Sequence, residues 1–127
     1  MVSKTDKTKD SRILIIDDDV QIVSILQDFL QHRNYSVFTA EDVSNIDKIV
    51  SDTSPDLIFL DYRMSPYTGK DILEKITLHH DGIPVVMMSA YRTLDGIFEV
   101  GNLGALDYIA KPFDFDEIDA ILKKVFP

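Results

Sequence analysis

The sequence predicts an α/β protein whose central parallel sheet carries helices on both faces, and three observations point there. Short apolar runs alternate with helical patterns along the whole chain, the mark of repeated βα winding. The runs are apolar almost throughout instead of alternating with polar residues, as expected of strands covered on both sides. At 127 residues, 45% of them hydrophobic, the chain has the material for one core and not for two.

The strand candidates in order are RILIID (12–17), YSVFTA (35–40), DLIFLD (56–61), PVVMMSA (84–90) and DYIAK (107–111). After the first, Ile22, Ile25, Leu26, Phe29 and Leu30 follow the i, i+3, i+4, i+7 spacing of a one-faced helix, and Asp19 is placed to cap it. Weaker helical patterns cover about 43–51, 69–80 and 93–103. Thr68 with Asp71, and Asp114 with Glu117, form start signals for the third and fifth helices. In the fourth, Gly96 and Gly101 each cost about 1 kcal/mol of helix propensity relative to alanine, so that helix is open to remodelling. The last repeats the apolar spacing at Ile118, Ile121, Leu122 and Val125. With no repeat, low-complexity segment or linker, the expected architecture is a flavodoxin-like (βα)5 doubly wound sandwich in strand order 2-1-3-4-5. Residues 1–11, MVSKTDKTKDS, lack an apolar core for a signal peptide and read as a short disordered tail before a domain at 12–127.

Composition narrows the function. There is no cysteine, which excludes disulfides and thiolate metal sites. No apolar run approaches the roughly 20 residues needed to span a bilayer, and a cytoplasmic location is the default expectation. A formal net charge of −9 argues against direct nucleic-acid binding by this domain and is compatible with cations.

In open parallel sheets, ligands bind beyond the carboxyl ends of the strands, so polar residues at those ends are the chemical candidates. They are Asp17, Asp18 and Asp19 after the first strand, Asp61 after the third, Ser89 after the fourth and Lys111 after the fifth. Crowded carboxylates repel unless a cation compensates, and hard oxygen ligands suit Mg²⁺, which commonly works beside phosphate. A hydroxyl and an ammonium nearby supply what phosphoryl oxygens require, and an aspartate can itself be the nucleophile. The set points to metal-assisted phosphoryl transfer onto a carboxylate.

The combination of ILIIDDD, DLIFLDYRM with a following glycine, VVMMSA and GALDYIAKPF closely resembles the receiver domain of two-component response regulators, over residues 12 to 126. The resemblance implies that Asp61 is the phosphoacceptor, that Asp18 binds Mg²⁺ directly and Asp17 mainly through water, and that the Arg63 carbonyl completes the ligands. It implies that Ser89 and Lys111 hold the phosphoryl oxygens, that the Lys111–Pro112 bond is cis, and that Tyr108 is a switch residue moving inward behind Ser89. The face formed by the fourth helix, fifth strand and fifth helix would then signal to a downstream effector or to the chain's own output domain. The donor would be a histidine kinase or histidine phosphotransfer protein, docking on the first helix, where Val20 and Val23 are read as facing outward. Arg63 and Tyr91 occupy the positions flanking the path of the hydrolytic water.

One departure from the family pattern is Met64-Ser65-Pro66, which puts the loop proline one position late while Gly69 keeps its place. Two rival functions stand beside this reading. LIIDDDVQ is similar to the aspartate-nucleophile phosphatase pattern, with Asp17 attacking and Asp19 as acid/base, although Gln21 replaces the expected Thr or Val and no later acidic pair or cap domain follows. The other rival is a pseudo-receiver that keeps the fold without the chemistry. His32, His79 and His80 show no partner pattern and read as solvated.

Overall fold

The computed structural model describes residues 11–64, 66–90 and 101–127. Strands β1 (Arg12–Ile16), β2 (Ser36–Ala40), β3 (Leu57–Asp61), β6 (Val85–Ser89) and β7 (Asp107–Ala110) form a parallel sheet in the order β2-β1-β3-β6-β7. This is the predicted winding. A two-stranded antiparallel pair, β4 (Arg63–Met64) with β5 (Tyr67–Thr68), follows β3 and was not foreseen. The described helices with assigned bounds are α1 (Val20–Gln31), α2 (Ile46–Thr53), α3 (Gly69–His79) and α4 (Phe115–Val125). Most of the predicted helix at 93–103, with Gly96, lies outside the described residues, as does Ser65.

The core is two cores separated by the sheet. Successive side chains of a strand point to opposite faces. Accordingly Leu14, Ile16, Ile58, Leu60, Val85, Met87 and Tyr108 pack against Ile46 and Val50 of α2 and Ile72, Leu73 and Ile76 of α3. Ile13, Ile15, Leu57, Phe59, Val86, Met88 and Ile109 pack against Leu26 and Leu30 of α1 and Ile118, Ile121 and Leu122 of α4. Strands β3 and β6 are buried at every position, which explains their unbroken apolar sequences.

The helix starts are built as the capping residues dictate. Asp19 accepts from the amides of Gln21 and Ile22, Thr68 from that of Asp71, and Asp114 from that of Asp116. The buried stripe of α1 is rotated from the predicted one: Ile25 is 49% exposed, whereas Val23 packs inward against the second core. Either set shares Leu26 and Leu30, and the sheet beneath decides which edge is covered. The histidine reading also needs correction. His79 Nδ1 and His80 Nε2 both lie 3.1 Å from the Asp47 carboxylate, tying the end of α3 to the first turn of α2, and His32 Nδ1 meets the Asp28 carbonyl at 2.7 Å. Adjacent histidines reach one carboxylate because His80 has left helical geometry, at φ −136° and ψ 66°. Among the described residues no helix is long and apolar enough to cross a membrane.

Candidate functional site

The carboxyl ends of β1, β3, β6 and β7 bring the sequence candidates together. Asp17, one residue past β1, is fully buried, with its amide on the Ala40 carbonyl at 3.1 Å and its Oδ1 accepting from the Asp19 amide at 2.9 Å. Asp18 beside it is exposed. Asp61 closes β3 and is 6% exposed, and Ser89 closes β6 at 2%. Oxygens of Asp17, Asp18 and Asp61 all lie within 4.8 Å of one another. The Lys111 amide donates to the Ser89 carbonyl at 2.9 Å, fixing the chain as it leaves β7, and the following Lys111–Pro112 bond is cis.

Among the described residues, Lys111 brings an ammonium to this group. Its Nζ sits 2.6 Å from Asp17 Oδ2 and 3.2 Å from Asp61 Oδ1. Burial works against the charged ammonium, but its contacts with Asp17 and Asp61 outweigh that and raise its pKa. Burial first and the negative charge of Asp17 second push the Asp61 pKa up as well, to about 6, despite relief from Lys111 and from the Arg63 amide. Asp17 Oδ2 is buried without a hydrogen bond of proper geometry, so its lone pairs are incompletely used even beside Lys111. Three carboxylates facing one ammonium leave an excess of two negative charges if all are ionised, which matches a divalent cation with oxygen preference.

The segment that carries the displaced proline lies between the paired strands β4 and β5. Gly69 donates its amide to the Tyr62 carbonyl at 2.6 Å, and the register pairs Arg63 with Thr68 and Met64 with Tyr67. Hydrogen-bonded and non-hydrogen-bonded pairs alternate along an antiparallel ladder, so Arg63 opposite Thr68 directs its amide and carbonyl away from the partner strand. Its amide reaches Asp61. The hairpin thus aims the Arg63 backbone at the acidic cluster. Gly69 is required for this closeness, because a Cβ there would lie 2.5 Å from Met87 Cε, 2.6 Å from Tyr62 Cα and 2.8 Å from the Asp61 carbonyl.

Tyr108 is 3% exposed and sits in the core on the α2–α3 side. Sequence reasoning gave Tyr62 no role, yet its ring meets that of Tyr108 with centroids 6.4 Å apart. Tyr91 lies outside the described residues. The phosphatase alternative finds little support: its nucleophile, Asp17, is fully buried against Lys111, and its acid/base, Asp19, is occupied as the cap of α1.

A doubly wound sheet with an acidic, lysine-bearing cluster at its carboxyl edge defines the response regulator class of α/β protein. The chain belongs to the response regulator receiver domain family, whose model matches residues 13–123. It is 38% identical over 116 residues to sporulation initiation phosphotransferase F of Bacillus subtilis (strain 168), covering 91% of this chain and 94% of that protein. It is 37% identical over 112 residues to transcriptional regulatory protein ZraR of Escherichia coli (strain K12), and there it spans 88% of this chain but only 25% of the relative. A two-component response regulator from Clostridium difficile superposes with a TM-score of 0.85 at 28% identity, covering 91% and 94% of the two chains. The protein is therefore a receiver domain of the two-component type, a phosphoacceptor signalling domain.

Proposed function

We propose that Asp61 accepts a phosphoryl group from a phosphohistidine on a histidine kinase or histidine phosphotransfer protein, with Asp17, Asp18, Asp61 and the Arg63 carbonyl holding Mg²⁺. In the transfer an Asp61 oxygen forms the new O–P bond as the P–N bond breaks, and the electron pair leaves with the imidazole. The bound Mg²⁺ would supply charge neutralisation between carboxylates and phosphoryl oxygens. Lys111 offers a second positive charge to those oxygens and Ser89 a hydroxyl donor. Tyr108 follows Ser89 as the switch, and the surface around β7 and α4 carries the signal to an effector or output domain.

The observation that carries this reading is Lys111 Nζ held at 2.6 Å from Asp17 and 3.2 Å from Asp61 at the rim of the acidic cluster. The donor-docking surface is read from α1, where Val20 is 66% and Ile25 49% exposed, together with Phe115 at 42% on the neighbouring α4. Apolar exposure of this kind beside a reaction site fits a partner helix. The test is incubation with a small acyl phosphate and Mg²⁺, followed by mapping of the label. Label on Asp61 that is stable to acid and lost in base is expected, while Asp61→Asn labelled at the wild-type rate would refute the assignment.

A further inference from the structure

The ring of Tyr62 lies where a change at Asp61 and a movement of Tyr108 would both be felt. Its backbone has little freedom: the amide donates to the Met88 carbonyl at 2.8 Å and the carbonyl accepts from Gly69 at 2.6 Å. Gly69 cannot retreat without losing its fit against the Asp61 carbonyl, Tyr62 Cα and Met87 Cε. Tyr62 is therefore held on both sides and bonded covalently to Asp61.

Tyr108 comes to the same place from the other direction. It pairs in register with Met87, the residue whose Cε packs against Gly69, and belongs with Met64 and Met87 to the core on the α2–α3 side. Tyr62 is half-buried against that core, and its ring is inclined 45° to Tyr108 at a centroid distance of 6.4 Å. Tilted aromatic pairs at this separation attract beyond the area that they bury. A ring carried outward on Tyr108 would lose this partner, whereas Tyr62 would stay behind on its pinned backbone.

We propose that Tyr62 is a positioning residue for the switch: its ring favours the inward state of Tyr108 and sets how much of the inward shift is left for phosphorylation to supply. This rests on the reading of Tyr108 as the switch. Tyr62 touches no reacting atom in this scheme. It acts as a fixed wall of the inward site, in contrast to Ser89, which responds to the phosphoryl group. From the strength of an aromatic pair, its loss should change the ratio of outward to inward Tyr108 by between about two- and tenfold.

The test uses the full chain with 3-fluorotyrosine introduced at position 108 and ¹⁹F NMR to report inward and outward populations. Tyr62→Leu keeps apolar bulk without the ring, and Tyr62→Ala removes both. Each is first checked for cooperative thermal unfolding, so that Tyr62→Leu decides the matter if Tyr62→Ala does not fold. The expected result is an about two- to tenfold rise in the ratio of outward to inward Tyr108 in the unmodified variants, reversed by acetyl phosphate with Mg²⁺. Populations in Tyr62→Leu equal to those of the wild type would overturn the proposal. The measurement on unmodified protein needs no label on Asp61. Absence of labelling in the wild type would thus defeat the phosphoacceptor reading, while the fluorine signal still decides the role of Tyr62.

Discussion

Asp61 is a carboxylate that its surroundings make reluctant to ionise. Burial and the Asp17 charge raise its pKa to about 6 in the metal-free protein, so the folded state holds the proton more tightly than the unfolded chain. Protonation of Asp61 then favours folding, fully so below the ordinary aspartate range, and that contribution is lost as pH rises toward about 6. The Asp61 carboxyl resonance, followed by ¹³C NMR without divalent cations, is expected to titrate near that value and lower in Asp17→Asn; a midpoint at about 3.9 would contradict it. A second prediction concerns the lifetime of a phosphoryl group on Asp61. Loss requires a water in line with phosphorus, and on the reading that Arg63 and Tyr91 flank that path, as the resemblance implies, arginine offers only donors and tyrosine is bulky, so neither would orient a water well. Arg63→Asn with Tyr91→Glu should speed autodephosphorylation about tenfold, a barrier change of roughly 1.4 kcal/mol. Slower decay in the double variant would exclude this role. At this scale the sequence was informative where chemistry interrupts an apolar run, as at Asp61 and Ser89. It was silent on Tyr62, whose contact depends on the Met87–Tyr108 register and on Gly69 lying against the Tyr62 backbone.

Among the elements, α2 ends on Ser54 in the left-handed conformation, φ 46° and ψ 58°, with its amide on the Val50 carbonyl. A left-handed residue with a Cβ costs about 1–2 kcal/mol, part of which glycine returns through its freedom in the unfolded chain. Ser54→Gly is therefore expected to stabilise the protein by up to about 1 kcal/mol in urea unfolding, and a loss of stability would show that the Ser54 side chain contributes more than its backbone costs. The five main strands were legible because each is a buried apolar run between turn residues. The β4–β5 hairpin was not, since two-residue strands are shorter than any periodicity that could reveal them. The Asp47 link to His79 and His80 was hidden for a different reason: it joins residues more than thirty positions apart through the packing of α2 on α3.

For the whole molecule, the acidic cluster is a standing electrostatic cost. Asp17, Asp18 and Asp61 face one another with Lys111 as compensation, in a chain of net charge −9. A cation that binds the assembled cluster far better than the unfolded chain stabilises the fold by mass action, about 2.7 kcal/mol at a hundred times its dissociation constant. Millimolar Mg²⁺ is expected to raise the unfolding midpoint of the wild type and to do so much less for Asp18→Ala. Equal midpoints with and without Mg²⁺ in the wild type would remove the cluster as a metal site.

The division of the core by the sheet bears on how such a protein can change over time. The Tyr62–Tyr108 contact belongs to the side packed by α2 and α3, and the exposed apolar residues of α1 and α4 stand above the other. Substitutions too distant to share partners add in free energy. On the proposed reading, a lineage could exchange one phosphoryl donor for another by rewriting the exposed positions of α1 while the inward–outward balance of Tyr108 is left untouched, and it could retune that balance at Tyr62 without losing its donor. Duplicated copies of such a domain have two independent routes by which to drift apart: whom they hear, and how readily they answer.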